Sequence, residues 1–214
     1  MSVHARVLLV SASVSAVALA SAILPSDGDV AMSPAEAKPL KVGVSIPDSN
    51  LKTLDGKATT LKEALGGKPT VLVFYRGGWC PFCNMHLAEL GQVQADVIKR
   101  GYQIVAISPD TPAELNKTME KHDLTYKLLS DSTAETMKKF GVAFRLDDKT
   151  FGMYKDKYHI DLERSSGGMT HHILPVPSVF LVDKSGKIIF AHSNPDYKVR
   201  MKGAEILKAI DENM

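Results

Sequence analysis

The sequence predicts an α/β fold, a central mixed β-sheet with helices on both faces. Three observations carry this. Short apolar runs rich in β-branched residues recur along the chain; stretches with helical spacing and clear start signals separate them; two further strands close the pattern as a hairpin. A chain of 214 residues is long enough for one domain with a sizeable core.

In order, Val71–Tyr75 reads as a buried strand and Arg76-Gly77-Gly78-Trp79-Cys80 as a turn. Pro81 suits the first position of a helix, where its missing N–H is no loss. Leu87, Leu90, Val97 and Ile98 recur near helical spacing until Gly101. Gln103–Ser108 is a second buried strand. Thr111-Pro112-Ala113-Glu114 is a capping box that starts a helix to about Lys121. Tyr126–Leu129 is a third strand. Ser132-Thr133-Ala134-Glu135 is a second capping box, with its helix ending at Gly141. Residues 147–170 are polar and read as an irregular excursion. Ser178–Val182 and Lys187–His192 form the hairpin around Asp183-Lys184-Ser185-Gly186, and Ala204–Ile210 is a closing helix.

The N-terminus is a separate object. His4 and Arg6 precede an uncharged stretch from Val7 to Ser26, with small residues at Ala18-Leu19-Ala20 and Ala20-Ser21-Ala22. A basic start, an apolar middle and an A-x-A-like site describe a secretory signal peptide over residues 1–24. Four serines, Ser11, Ser13, Ser15 and Ser21, dilute the run and argue against a stable membrane anchor. Residues 25–40 read as a linker and 41–214 as the domain. The expected location is outside the cytoplasm, periplasmic or secreted, with no membrane span after processing.

Composition narrows the function. A formal net charge of +2 with scattered Lys and Arg excludes a dedicated nucleic-acid or anionic-membrane surface. There are two cysteines, Cys80 and Cys83. A disulfide between them closes almost no loop, so stability is not its purpose. Both lie at the start of a helix, where unpaired N–H groups and the macrodipole favour a thiolate. A Cys-x-x-Cys pair beside a βαβ pattern is a thiol–disulfide exchange signature, with Cys80 expected to be the more exposed sulfur and Cys83 the more buried. Haem attachment needs His after the second cysteine, and position 84 is Asn84. Zinc or copper would need further ligands from His86, His171, His172 or His192, and no paired metal-ligand spacing accompanies them. No cofactor is implied. Pro177 opens the strand Ser178–Val182; by spacing alone it is an ordinary trans proline.

From about Val44 to Ile210 the sequence resembles the peroxiredoxin-like (AhpC/TSA, redoxin) branch of the thioredoxin superfamily. The residues that carry the likeness are Leu54-Asp55-Gly56-Lys57, Val71 through Asn84, Ala106-Ile107-Ser108-Pro109-Asp110 and Leu174-Pro175-Val176-Pro177-Ser178. The resemblance implies a thioredoxin-like fold with Pro177 in cis opposite the cysteine pair. It also implies reduction of hydroperoxides at a cysteine, with electrons from a thioredoxin-like donor. Relatives of this kind often form homodimers, and no interface signature is visible here.

The chain departs from the common peroxiredoxin pattern at three places. Arg76 and Cys80 stand where that pattern has Pro and Thr, and Pro177 stands where it has Arg. Trp79, Pro81 and Pro177 instead look like exported disulfide reductases. The peroxiredoxin alignment makes Cys83 the attacking sulfur and the sulfenate carrier; the thioredoxin alignment makes it Cys80. Arg76 is either a support for a thiolate or peroxide oxygen or a surface residue at a strand end. Three functions are open: a thiol peroxidase, a protein disulfide oxidoreductase, and a redox-gated metal carrier.

Overall fold

The computed structural model describes residues 30–213. The expected signal segment, residues 1–24, lies outside the described residues.

The strands are β1 (Asn50–Lys52), β2 (Ala58–Thr60), β3 (Thr70–Phe74), β4 (Gln103–Ser108), β5 (Lys127–Ser130), β6 (Ala143–Arg145), β7 (Ile173–Pro175), β8 (Ser178–Val182) and β9 (Ile188–Ser193). The helices are α1 (Leu61–Leu65), α2 (Pro81–Lys99), α3 (Pro112–Lys121), α4 (Glu135–Lys139), α5 (Asp148–Asp156), α6 (Leu162–Ser165) and α7 (Gly203–Glu212). Seven strands form one sheet in the order β2-β1-β5-β4-β3-β8-β9, and β6 pairs with β7 apart from it. β3, β4 and β5 are parallel, while β8 runs antiparallel to β3 and pairs with β9 as a hairpin. The sheet is mixed, as the sequence predicts.

Strand alternation divides the core in two. Val71, Val73 and Tyr75 point to one face, with Ile104, Ala106, Val179 and Leu181, and are covered by Leu87, Leu90 and Val97 of α2 and Ile206 and Ile210 of α7. Leu72 and Phe74 point to the other, with Val105, Ile107, Phe180 and Val182, under α1 and α4. Phe74, Phe140 and Phe180 meet there with ring centroids 4.9–6.0 Å apart. Because every β3 residue is fully buried, its carboxyl end is a rigid platform for the turn beyond it.

Four expectations change. The segment read as a linker lies on the domain from Val30 onward. The Leu40 amide donates to Phe140 O (3.0 Å), Ala31 O accepts from the Arg145 amide (2.8 Å), and Val30 and Leu40 pack on the second core. Gly141, at φ +67°, is glycine for this reason: a Cβ there would run into the Lys38 carbonyl. The Ser132 capping box does not form. Ala134 turns left-handed (φ 60°) and Asp131, at the end of β5, accepts from the amides of Thr136 (3.1 Å) and Met137 (2.8 Å) instead. The excursion at 147–170 is not irregular. It holds α5 and α6, N-capped by Asp147 and Asp161 through the amides of Thr150 and Arg164, each at 2.9 Å. Finally, the Val176–Pro177 bond is trans, since no peptide bond is cis among the described residues. Pro177 carries an extended connection between β7 and β8, with the Val176 amide bonded to Val142 O and Pro177 O accepting from Asn194.

No helix among the described residues is long and apolar enough to cross a membrane.

Candidate active site

Chain direction places the cysteines. β3 ends at Phe74, Tyr75 continues it by bonding its amide to Ile107 O, and residues 76–80 then turn into α2. Cys80 is the N-cap residue and Pro81 the first helical one, as expected. The turn is held at its middle residue, through both backbone groups of Gly78. Gly78 N donates to Asp110 Oδ2 (2.7 Å), and Asn84 Nδ2 donates to Gly78 O (2.8 Å). Gly77 sits at φ +144°, and the space a Cβ would need is filled by the Trp79 indole and the Asp110 carboxyl. Only glycine lets the turn close this tightly.

Both sulfurs are free thiols and both are buried, Cys80 at 1% exposure and Cys83 at 0%. The expected contrast in exposure is slight, because Cys80 is enclosed in the same core as Cys83, with Trp79 and Phe82 packed against that core. The contrast that exists is electrostatic. The Cys83 S–H donates to the Cys80 sulfur, and this is the main reason the Cys80 thiol is lowered to about 6; the Cys83 amide, Arg76 and Arg200 act in the same direction against the cost of burial. Cys83 is pushed the other way, chiefly by burial and then by its bond to Cys80, and Arg200 only partly offsets this.

Arg76 is not a surface residue. It is 3% exposed, bonds Tyr154 through Nη2, and lies over the rings of Tyr197 (4.2 Å), Trp79 (5.1 Å) and Tyr154 (5.6 Å). With Pro177, Phe144, Tyr154, Pro195 and Tyr197 it lines a cleft enclosing about 640 Å³ of open space. Trp79 and Tyr154 meet edge to face at 5.7 Å, which is how α5 reaches the redox turn.

The structure thus brings Arg76, Trp79, Cys80, Pro81 and Cys83 together, with Pro177 lining the same cleft as Arg76. Sequence reasoning missed Arg200, Tyr154, Tyr197 and Asp110 as parts of the site. Arg200 Nη2 donates to Cys83 Sγ at 3.2 Å across a sequence separation of 117 residues. No local pattern reports a contact of that range. Asp110 is buried at the end of β4, and burial raises its carboxyl to about 7. It closes the Ser108-Pro109-Asp110 motif, the signal that could have found it. As for a metal, no group of three or more His, Cys, Asp or Glu side chains among the described residues could hold one.

The model of the AhpC/TSA family matches residues 42–191. The chain belongs to that family. Among curated relatives, Peroxiredoxin Bcp of Escherichia coli K12 is 27% identical over 175 residues, covering 82% of this chain and 98% of its own. Thiol-disulfide oxidoreductase ResA of Bacillus cereus is 24% identical over 151 residues, covering 70% of this chain and 68% of its own. The crystal structure of peroxidoxin BcpB from Mycobacterium tuberculosis superposes with a TM-score of 0.61 at 20% identity, covering 82% of this chain and 99% of that one. The AhpC/TSA chain described here has the thioredoxin-like α/β fold and is a peroxiredoxin-like, thiol-dependent oxidoreductase.

Proposed function

We propose that this protein is a thiol peroxidase in which Cys80 attacks the hydroperoxide and Cys83 resolves the product. The observation that carries it is the setting of Cys80: it is the N-cap residue of α2, accepts from the Cys83 S–H and amide, and feels the charges of Arg76 and Arg200, all of which favour its thiolate. At neutral pH Cys80 is the nucleophile. The Cys80 thiolate attacks one peroxide oxygen, the O–O bond breaks, and the electron pair leaves as an alkoxide that takes up a proton. Arg76 ties this step to the cleft, since it lines the cleft and its charge favours the Cys80 thiolate. Cys83 then displaces water from the Cys80 sulfenic acid and forms the disulfide, which a thioredoxin-like dithiol reduces. The peroxiredoxin alignment favours Cys83 as the sulfenate carrier; the electrostatics favour Cys80.

Stopped-flow mixing of the reduced protein with hydrogen peroxide tests the reading. A rate well above that of a free thiolate is expected, and a rate no better than one rejects it. Trapping with a sulfenic-acid probe, then peptide mapping, should place the label on Cys80.

A second reading, reduction of protein disulfides, is favoured by the likeness to ResA and by the ionised first cysteine of the pair. Insulin reduction in the absence of peroxide turnover would establish it. In either case the expected setting is outside the cytoplasm, and mass spectrometry of the mature N-terminus checks that.

A further inference from the structure

Cys83 has to lose its proton before it can attack, and burial makes that unfavourable. Its surroundings away from Cys80 hold a set of nitrogen atoms with nothing to do. His86 lies one turn along α2 on the same face, at i, i+3 spacing. It is 4% exposed, and apart from a weak contact with the Met201 backbone its ring nitrogens have no hydrogen-bond partner. Arg200, bonded to Cys83 through Nη2, has Nε and Nη1 buried without partners. A buried imidazole with a nitrogen left idle costs free energy, and His86 stands one helical turn from the thiol whose proton must move.

We infer that His86 is the base that takes the Cys83 proton when Cys83 attacks Cys80, and that Arg200 holds the thiolate formed. In the resolving step the S–H bond of Cys83 breaks toward a His86 nitrogen. The Cys83 sulfur pair forms the S–S bond, and the leaving group departs from Cys80 with the electrons of the bond that breaks. His86 then returns its proton to the leaving group or to water. In the reductive step the order reverses. A donor thiolate attacks Cys80, Cys83 leaves as a thiolate against Arg200, and it is then reprotonated.

The groups facing His86 suit a neutral base. Burial first, then Arg200, and more weakly His192 of β9, lower the imidazole to about 4, with the Met201 backbone pulling slightly the other way. Glu89, the next turn of α2, is occupied by the Gly203 amide at 2.8 Å. His86 is therefore unprotonated at neutral pH and free to accept.

This rests on Cys83 being the resolving sulfur, and its test needs no peroxide. Reduced protein mixed with dithiobis-nitrobenzoate should release thionitrobenzoate in two phases: attack by Cys80, then displacement by Cys83. In His86→Gln the ratio of second-phase to first-phase rate should fall about 100-fold, the scale of lost general-base catalysis. Arg200→Met should lower the same ratio and Arg200→Lys recover most of it. Ratios within twofold of the parent in both His86→Gln and Arg200→Met overturn the inference, as does equal slowing of both phases. If a variant does not fold, the parent protein decides. Its second phase should be flat above about pH 5 and fall below as His86 takes a proton, whereas a rate rising tenfold per pH unit between pH 6 and 8 overturns the inference. Two intact phases with no peroxide reactivity would reject the peroxidase reading and leave this one standing.

Discussion

Cys80 and Cys83 share one helical turn, one hydrogen bond and nearly equal burial, yet their surroundings differ in kind. Cys80 receives: an S–H from Cys83 and the fields of Arg76 and Arg200 all point to its sulfur. Cys83 gives its proton to that contact and receives bonds from Arg200 Nη2 and the Arg76 amide. Burial raises both thiols and dominates at Cys83, while the S–H shared between them lowers Cys80 and raises Cys83. Exposure alone would not have distinguished them.

The largest effect expected from this contrast is loss of the receiving sulfur. Cys80→Ser should lower peroxide or disulfide turnover roughly 10³-fold or more. Cys83→Ser should keep a single oxidation at Cys80 and accumulate its sulfenic acid, read by probe labelling and mass spectrometry. Label on Cys83 in the parent protein would reverse the comparison. Next is the charge on the Cys80 side. Arg76→Met should raise the Cys80 thiol by about one pH unit, followed by thiolate absorbance, and slow its reaction at pH 6 by about tenfold. Smaller still is the pH profile of the parent. Because Cys80 ionises near 6, the first oxidation rate should level off above that pH and fall about tenfold per unit below it.

The smallest effect on chemistry, though not on stability, concerns Asp110 under the turn. Its folded carboxyl holds a proton to about 7. Between about pH 4 and 7 the unfolded chain has lost that proton and the folded one has not, so stability declines as pH rises through this window. Asp110→Asn can still accept from Gly78 and removes the decline, worth at most about 4 kcal/mol at pH 8. Denaturant midpoints of parent and variant at pH 5 and pH 8 would measure it; equal slopes in both would contradict it. Asp131, also raised to about 7, keeps part of the dependence in the variant.

What could be read in the sequence tracks the range of the interactions. β3, β4, β8 and α2 announce themselves because their cues are local: an apolar run, a proline at the first helical position, a glycine at the end. The Cys80–Pro81–Cys83 helix start was readable for the same reason. Local cues failed where a competing group won. Asp131 outcompeted Ser132 as the cap of α4, and Asp147 and Asp161 opened helices in a stretch that looked merely polar. Long-range partners left no trace. Tyr154 reaches Arg76 across 78 residues and Arg200 reaches Cys83 across 117. The family likeness implied a cis bond before Pro177, and that bond is trans.

Neither Arg76 nor Arg200 forms a salt bridge with a carboxylate among the described residues. In the reduced protein the Cys80 thiolate neutralises one of these two charges. Disulfide formation removes that anion and leaves both cations without a counter-anion. The site therefore carries its greatest positive potential only when oxidised, and that is when a negatively charged thiolate must arrive. Diffusional capture of the reductant is steered in one half of the cycle and not in the other, and raising ionic strength should slow reduction more than oxidation by neutral peroxide.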